Sequence, residues 1–417
     1  MRSGSLLHLA WRSLNRHKLS NAVTILTASL AVGLAFAVFA INAQARAAFV
    51  NGGSGYDAVL GARGSQLQLV LNTVFHLETS PGNIPWTLYE AVSERSGVKR
   101  AVPFAVGDNY RGFRLAGTTA GYFDDPPEDA PPWKLEPGGR FFDVVRREAV
   151  VGSFAARKTG LKVGSTFNPY HGLIYDESKR HQEEYVVVGI LEPTNTPVDR
   201  VIFIPIEGIF RMEGHVLRGT GEKYVPKSGQ SIPEEHREVS AVLLDLSNPQ
   251  MGFSLEQQVN KQGKVATLAF PIGRVMAEVF EKMGWAHRIL ALISYLVLFI
   301  ATGSILTSIV QTLGTRRREF AVLRALGMPR RRLFGLLVLE SSLLAALGSL
   351  GGFLVYGLCI AVAARIIRDQ TGVVIEVFSF HPVFLWGPAA MICLGALVGL
   401  LPAWKAYRTP VAENLSG

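Results

Sequence analysis

The chain has 417 residues, 48% of them hydrophobic and 18% charged, with a net charge of +9 and a mean hydropathy of +0.24. Soluble globular chains carry about 25% charged residues, so the composition points to a membrane protein and excludes a disordered, collagenous or disulfide-stapled one. The two cysteines, Cys359 and Cys393, both lie in apolar stretches; they build no disulfide framework and report nothing about redox compartment.

Residues 1–19 read as a cytoplasmic amino-terminal segment. The charges then stop: Leu19–Ala45 is 27 residues without one, Ile289–Thr315 is 27, Leu333–Ala364 is 32 with Glu340 alone, and Val377–Trp404 is 28. Each exceeds the roughly 20 residues that cross the hydrocarbon as a helix. The gaps predict four transmembrane helices: TM1 at 20–43, TM2 at 288–312, TM3 at 334–364 and TM4 at 383–404. Arg12, Arg16 and Lys18 precede TM1 as they would a secretory signal, but the apolar run outlasts a signal core of about 7–15 residues and ends without a small-x-small cleavage pattern. TM1 is therefore read as an uncleaved helix.

Orientation follows from basic residues close to the spans. Arg2, Arg12, Arg16 and Lys18 lie at the amino end, seven arginines from Arg316 to Arg332 lie in the TM2–TM3 segment 313–333, and Lys405 and Arg408 lie in the tail 405–417. All three are assigned to the cytoplasm. Residues 44–287 carry 26 basic and 28 acidic side chains, so the positive balance reflects membrane topology and is no nucleic-acid footprint. That middle region is expected outside, with the loop 365–382 beside it.

Within 44–287, the stretch from Pro85 has helical spacing, followed by strands at Lys99–Val106 and Arg111–Leu115. A strand at Glu238–Leu246, a helix at Ser254–Asn260, a strand at Lys264–Phe270 and a helix at Pro271–Met283 repeat the pattern, and the last helix could run on into TM2. The expected organisation is a split α+β subdomain from 44–134 and 226–287, with an inserted, mainly β subdomain at 135–225 built from Glu148–Gly152, Gly164–Phe167, Glu184–Leu191 and Val201–Ile206. The turn-rich Asp124–Pro132 marks the boundary. The fold class is thus an α-helical membrane protein with four transmembrane helices and a large external α+β domain inserted between TM1 and TM2. The run containing Leu67, Leu71, Val74 and Phe75 is strongly apolar; a core helix is the favoured reading, and a contact with lipid or hydrophobic cargo the alternative.

Small residues four apart occur in TM1 (Ala31, Ala35), TM3 (Gly348, Gly352) and TM4 (Gly395, Gly399), where they allow close backbone approach in lipid. Packing within the chain is favoured over an oligomer seam. Glu340, two turns into TM3, is costly at that depth and needs a partner; a structural hydrogen bond is favoured over a gating role.

Catalytic chemistry is hard to find. The chain contains no Gly-x-x-x-x-Gly-Lys-[Ser/Thr], and Gly52-Gly-Ser-Gly55 lacks the phosphate-reaching lysine, so an ATPase must be a separate subunit. There is no His-Glu-x-x-His and no Gly-x-Ser-x-Gly. His171 and His181 flank a polar segment with Asp176, Glu177, Glu183 and Glu184, for which a solvated loop is preferred to a metal site. No catalytic residue, cofactor or metal is assigned to this chain.

The most informative segment is Arg316-Arg-Arg-Glu-Phe-Ala-Val-Leu-Arg-Ala-Leu-Gly-Met-Pro-Arg-Arg-Arg332, followed by Leu339-Glu-Ser-Ser342. On a helix, Phe320, Leu323 and Gly327 share a face while Arg317 and Arg324 fall near another, giving an amphipathic element along the inner membrane surface that Gly327 ends. This segment resembles the signature of MacB/LolC/FtsX-type permeases of ABC transporters. The stretch Ala10–Lys18 resembles that family's amino end, Val150–Gly164 and Tyr185–Leu191 its external β subdomain, and Leu401–Leu415 its tail.

The resemblance implies a mechanotransmission permease in the bacterial inner membrane. Two protomers, as a homodimer or heterodimer, would sit on an ABC ATPase dimer that binds ATP and Mg. Arg317, Arg318, Glu319, Phe320, Leu323 and Arg324 would contact the ATPase, with TM2 and the preceding helix acting as a stiff lever. Because only about 18 residues precede TM1, the ATPase is expected on a separate chain. Efflux or extraction of amphiphilic, peptide-like or lipoprotein cargo is the leading expectation, with a periplasmic adaptor, an outer-membrane channel or a lipoprotein as further partners. An FtsX-like regulator of a cell-wall hydrolase is the alternative.

Overall fold

The computed structural model describes residues 4–408 except 17, 52–54, 129–132, 214–220, 224, 226–231, 316–319, 321, 323, 325–326 and 372–379. Two compact units emerge: a membrane unit of 1–45, 283–366 and 375–417, and an external unit of 46–282 and 367–374.

The membrane unit begins with the helix Gly4–Arg16, which buries Ala10 and Leu14 and exposes Leu7 and Trp11. The four expected spans are all helices long and apolar enough to cross a membrane. TM1 belongs to the helix Lys18–Asn51, TM2 to Gly284–Thr315, TM3 to Arg330–Thr371 and TM4 to Val383–Arg408. Each helix outruns the span read from the sequence because a charge gap measures the hydrocarbon crossing, whereas backbone hydrogen bonding continues into water. TM3, for instance, carries Arg365 and Arg368 in its outer turns. The helix expected over 271–283 occupies Ile272–Lys282 and stops at the turn residue Met283, one residue before TM2 begins. The run-on into TM2 is therefore interrupted, at a Met-Gly step where glycine disfavours helix.

The external unit is built on one ten-stranded mixed sheet. Its strands are β1 (Ala58–Ala62), β3 (Val98–Tyr110), β4 (Phe113–Thr118), β5 (Glu148–Val151), β6 (Thr166–Phe167), β7 (Tyr170–His171), β8 (Tyr185–Ile190), β9 (Ile202–Pro205), β11 (Ala241–Leu246) and β12 (Ala266–Ala269); β2 (Ile84–Pro85) and β10 (Glu238–Val239) pair separately. The order is β12-β1-β11-β3-β4-β9-β5-β8-β6, with β7 on the end of β3. The first four of these strands run antiparallel, whereas β4 pairs β9 and β5 pairs β8 in parallel. β3 spans 13 residues and serves both parts, joining β11 over Val98–Phe104 and β4 over Ala105–Tyr110. As a result β4, from the segment 44–134, lies in the part that holds β5, β8 and β9.

Both faces of the sheet are covered. Leu60, Leu115, Val151, Tyr185, Ile204 and Leu244 belong to one buried core, and Val59, Phe75, Phe104, Tyr122, Phe203 and Leu243 to another. Alternate residues of a strand point to opposite faces, which is why neighbours such as Val59 and Leu60 enter different cores. The helix Gln66–Thr73 starts where Ser65 Oγ accepts from Gln68 N–H, and Pro249–Glu256 starts where Asn248 Oδ1 accepts from Met251 N–H at 2.9 Å with Pro249 in the first turn.

Candidate functional site

In the membrane unit the small residues form intrachain seams. A Cβ on Gly348 would stand 2.4 Å from Ala28 Cβ, and one on Gly352 would stand 2.8 Å from Val32 Cγ1, so TM1 and TM3 meet at backbone distance. One on Gly395 would stand 2.7 Å from Ala345 Cβ, and one on Gly399 would meet the Ser341 side chain, placing TM4 equally close to TM3. Lipid offers no hydrophobic gain for helix association, so close van der Waals contact must supply the attraction. Ala31 and Ala35 are buried in the same bundle. Beside the seams, Phe36 packs on Phe353 and Phe384 with ring centroids 4.9 and 5.4 Å apart.

Polar links cross the same bundle. Asn21 Nδ2 donates to the Leu14 carbonyl at 2.8 Å and Ser308 Oγ donates to Asn21 Oδ1 at 3.2 Å, tying the amino-terminal helix, TM1 and TM2 together. Glu340 is 1% exposed and directly precedes the fully buried Ser341 of the TM3–TM4 seam. Its carboxylate therefore faces protein rather than lipid.

Of the arginine segment, Arg317, Arg318, Glu319 and Leu323 lie outside the described residues. Phe320 is helical and buried, and Arg324 is helical and half-buried. Gly327 takes a φ of +92° and its N–H donates to the Arg324 carbonyl at 3.0 Å, the left-handed turn that glycine permits after a helix.

In the external unit the apolar run after TM1 is mostly interior. Val74 and Phe75 are 3% and 1% exposed, with the Phe75 ring tilted against that of Phe49 at 5.1 Å between centroids, so neither is open to lipid or cargo. Leu67 and Leu71 are half-buried and pack against the same core, while Leu77 is exposed. Arg114, itself buried, donates to the Asn72 carbonyl at 3.0 Å and the Glu78 carbonyl at 2.5 Å, closing the end of this helix. His76 is half-buried as a residue but its Nδ1 is enclosed; burial first, and then the Arg114 cation, push it down to about 3.

The helix Arg330–Thr371 ends inside the external unit. Ile367 packs against a core of that unit, and the Arg200 guanidinium, lying over Phe113 and Phe154, donates to the Asp369 carbonyl. At the other end of the insertion, Glu148 is clasped by Arg140, whose guanidinium holds the carboxyl below the usual range. The segment between His171 and His181 is solvated, as its composition suggests, with no buried residue from 172 to 180, but His181 itself is buried and both histidine rings meet Asp108 of β3. Asp108 is 73 residues from His181, so no local spacing could have disclosed it.

Comparison with known proteins matches residues 22–241 to the MacB-like periplasmic core domain and residues 291–411 to the FtsX-like permease C-terminal domain. Among solved structures, the periplasmic region of MacB from Actinobacillus actinomycetemcomitans is similar at 11% identity and a TM-score of 0.34, covering 56% of this chain and 95% of that one. The extracellular domain of the noncanonic ABC-type transporter YknZ from Gram-positive bacteria is similar at 15% identity and a TM-score of 0.30, covering 51% and 99%. A search of curated proteins finds no sequence match. The core-domain match alone spans more than half of the chain, and with four candidate membrane helices and an α+β domain inserted between the first and the second it shows that the chain belongs to the MacB/FtsX-type family of ABC transporter permeases, membrane subunits that are not themselves catalytic.

Proposed function

We propose that this multi-pass inner-membrane permease receives the energy of ATP hydrolysis at its cytoplasmic side and delivers it as motion of the external unit. That motion drives efflux or extraction of amphiphilic, peptide-like or lipoprotein cargo. The ATPase lies outside these 417 residues, which hold no phosphate-cradling Gly-Lys loop, and it supplies the ATP and Mg sites. Two permease protomers act on one ATPase dimer. The arginine-rich flanks support a cytoplasmic position for the termini and the TM2–TM3 segment, and a periplasmic one for the nearly neutral middle domain.

The observation that carries this reading is helix continuity. Lys18–Asn51 and Arg330–Thr371 each run unbroken from residues of the membrane unit into residues of the external unit. At 1.5 Å per residue they are about 50 and about 63 Å long, well beyond a hydrocarbon core of about 30 Å. Phe49 on the first and Asp369 on the second are held by Phe75 and Arg200 of the external unit. TM1 and TM3 are thus the rods suited to carry motion, and TM2, interrupted at Met283, gives up the lever role the sequence suggested for it.

At the inner end, Arg317, Arg318, Glu319, Phe320, Leu323 and Arg324 are assigned to ATPase contact. The double substitution Glu319→Lys with Arg324→Glu reverses the sign of both charges there and leaves the net charge unchanged. With the cognate ATPase in proteoliposomes it is expected to abolish permease-stimulated ATP turnover while membrane insertion is unchanged. Retained stimulation would reject the contact assignment.

A further inference from the structure

β7 pairs antiparallel with the end of β3, setting Asp108 opposite His171 and Asn109 opposite Tyr170. The chain then loops through a short turn at Glu177–Lys179 and returns, Tyr170 bridging Arg180 and the His181 N–H donating to the Pro169 carbonyl at 2.9 Å. The Gly172 N–H donates to the Gly107 carbonyl and Asn109 Nδ2 to the Gly172 carbonyl, both at 2.8 Å. Backbone pairing thus brings three side chains from separate stretches to one point. His171 Nδ1 and His181 Nε2 each lie 3.3 Å from the same atom, Asp108 Oδ1, and the three atoms all lie within 4.8 Å of one another.

A spacing of 3.3 Å is long for an N–H···O hydrogen bond. It matches the ligand–ligand edge, about 3.3–3.5 Å, of a tetrahedron whose centre is bonded to nitrogen and oxygen at about 2.0–2.2 Å. Two imidazoles and one carboxylate suit a borderline divalent ion such as zinc, whereas calcium and magnesium favour all-oxygen shells. Asp108 is fully buried and fixed, while the His171 side chain is 55% exposed, leaving the fourth corner to water. A second buried carboxylate adds to the case: Glu183 Oε1 accepts from Glu213 N–H at 2.9 Å, and its Oε2 has no hydrogen-bond partner among the described residues. Its charge favours a cation close to His181.

We propose that Asp108, His171 and His181 form a zinc-class divalent-cation site that staples the 170–181 hairpin to the end of β3. The site is structural: it needs no substrate, and it crosslinks three chain segments that otherwise rest on backbone pairing and hydrogen bonds.

The test uses the full-length chain in detergent, without a polyhistidine tag, stripped with EDTA and re-equilibrated with zinc chloride alone. Elemental analysis is expected to give about one zinc per chain, and His171→Ala to weaken binding by about 10- to 100-fold. His171 is exposed, so this variant should keep its EDTA-state melting temperature; His181→Gln and Asp108→Asn should also lose the ion. Zinc should slow tryptic cleavage after Lys179 and Arg180 in the parent chain and not in His171→Ala. A parent chain that retains no zinc, or one whose zinc survives both His171→Ala and Asp108→Asn, overturns the proposal.

Discussion

The membrane and external units achieve close packing by opposite means. The external unit fills its interior with large side chains: Tyr122, Phe203, Phe104 and Phe75 are among its fully buried residues, and the Tyr122 ring lies 5.2 and 5.4 Å from those of Phe104 and Phe203. The membrane unit instead removes side chains where TM1, TM3 and TM4 cross, at Gly348, Gly352, Gly395 and Gly399. The contrast follows from the solvent. In water, apolar area removed from solvent is worth about 25 cal/mol per Å² and large residues gain most; in lipid that term vanishes between helices, and backbone proximity takes over.

The sharpest way to break this comparison is to remove bulk from the first region and add it to the second. Phe203→Ala is expected to cost about 4 kcal/mol, read as the largest fall in external-domain melting temperature among these variants. Gly348→Ala adds one methyl group against Ala28 and should destabilise the purified membrane protein by about 2 kcal/mol. Gly335→Ala, on the same helix with nothing within 4 Å of its new Cβ, should be neutral or stabilising by up to about 1 kcal/mol. If the two glycine variants melt alike, the seam is not what holds TM1 to TM3.

An acid-dependent effect is expected in the external region. His76 has a folded pKa of about 3, below its unfolded value of about 6.5. The unfolded chain therefore binds the extra proton first, and the contribution of neutral His76 is present above pH 6.5 and lost as the pH falls toward 3. The slope is up to about 1.4 kcal/mol per pH unit. His76→Asn, which tolerates the φ of +54°, should flatten this acid slope in a pH series of melting curves; an unchanged slope would assign it to other groups.

Legibility in the sequence divides along the same line. The four spans could be read because a charge gap is a local property, and the family resemblance lay in contiguous stretches, the arginine-rich one above all. Strands such as Tyr185–Ile190 were visible in their composition. Their neighbours were not: nothing near Phe113–Thr118 says that it pairs in parallel with Ile202–Pro205. The small-residue pairs announced close approach, but only the packed helices show that Gly348 meets Ala28. The break at Met283 did have a signal, Gly284, which the hydrophobic periodicity on both sides concealed. Asp108 had none, because its meaning depends on two histidines brought to it by a hairpin.

The central claim is that nucleotide turnover on a partner moves the external unit through this chain. The most direct measurement is a pulsed electron-spin distance between a label at Val145→Cys, an 85% exposed position, and one on the partner protomer's external domain, with Cys359 and Cys393 replaced by serine. In the reconstituted complex, ATP held by a hydrolysis-deficient ATPase should shift the distance by about 5 Å or more relative to the nucleotide-free state, the scale of a one-turn helix displacement. Identical distance distributions in both states, with a labelled permease that still stimulates the active ATPase in a parallel reconstitution, would contradict the account.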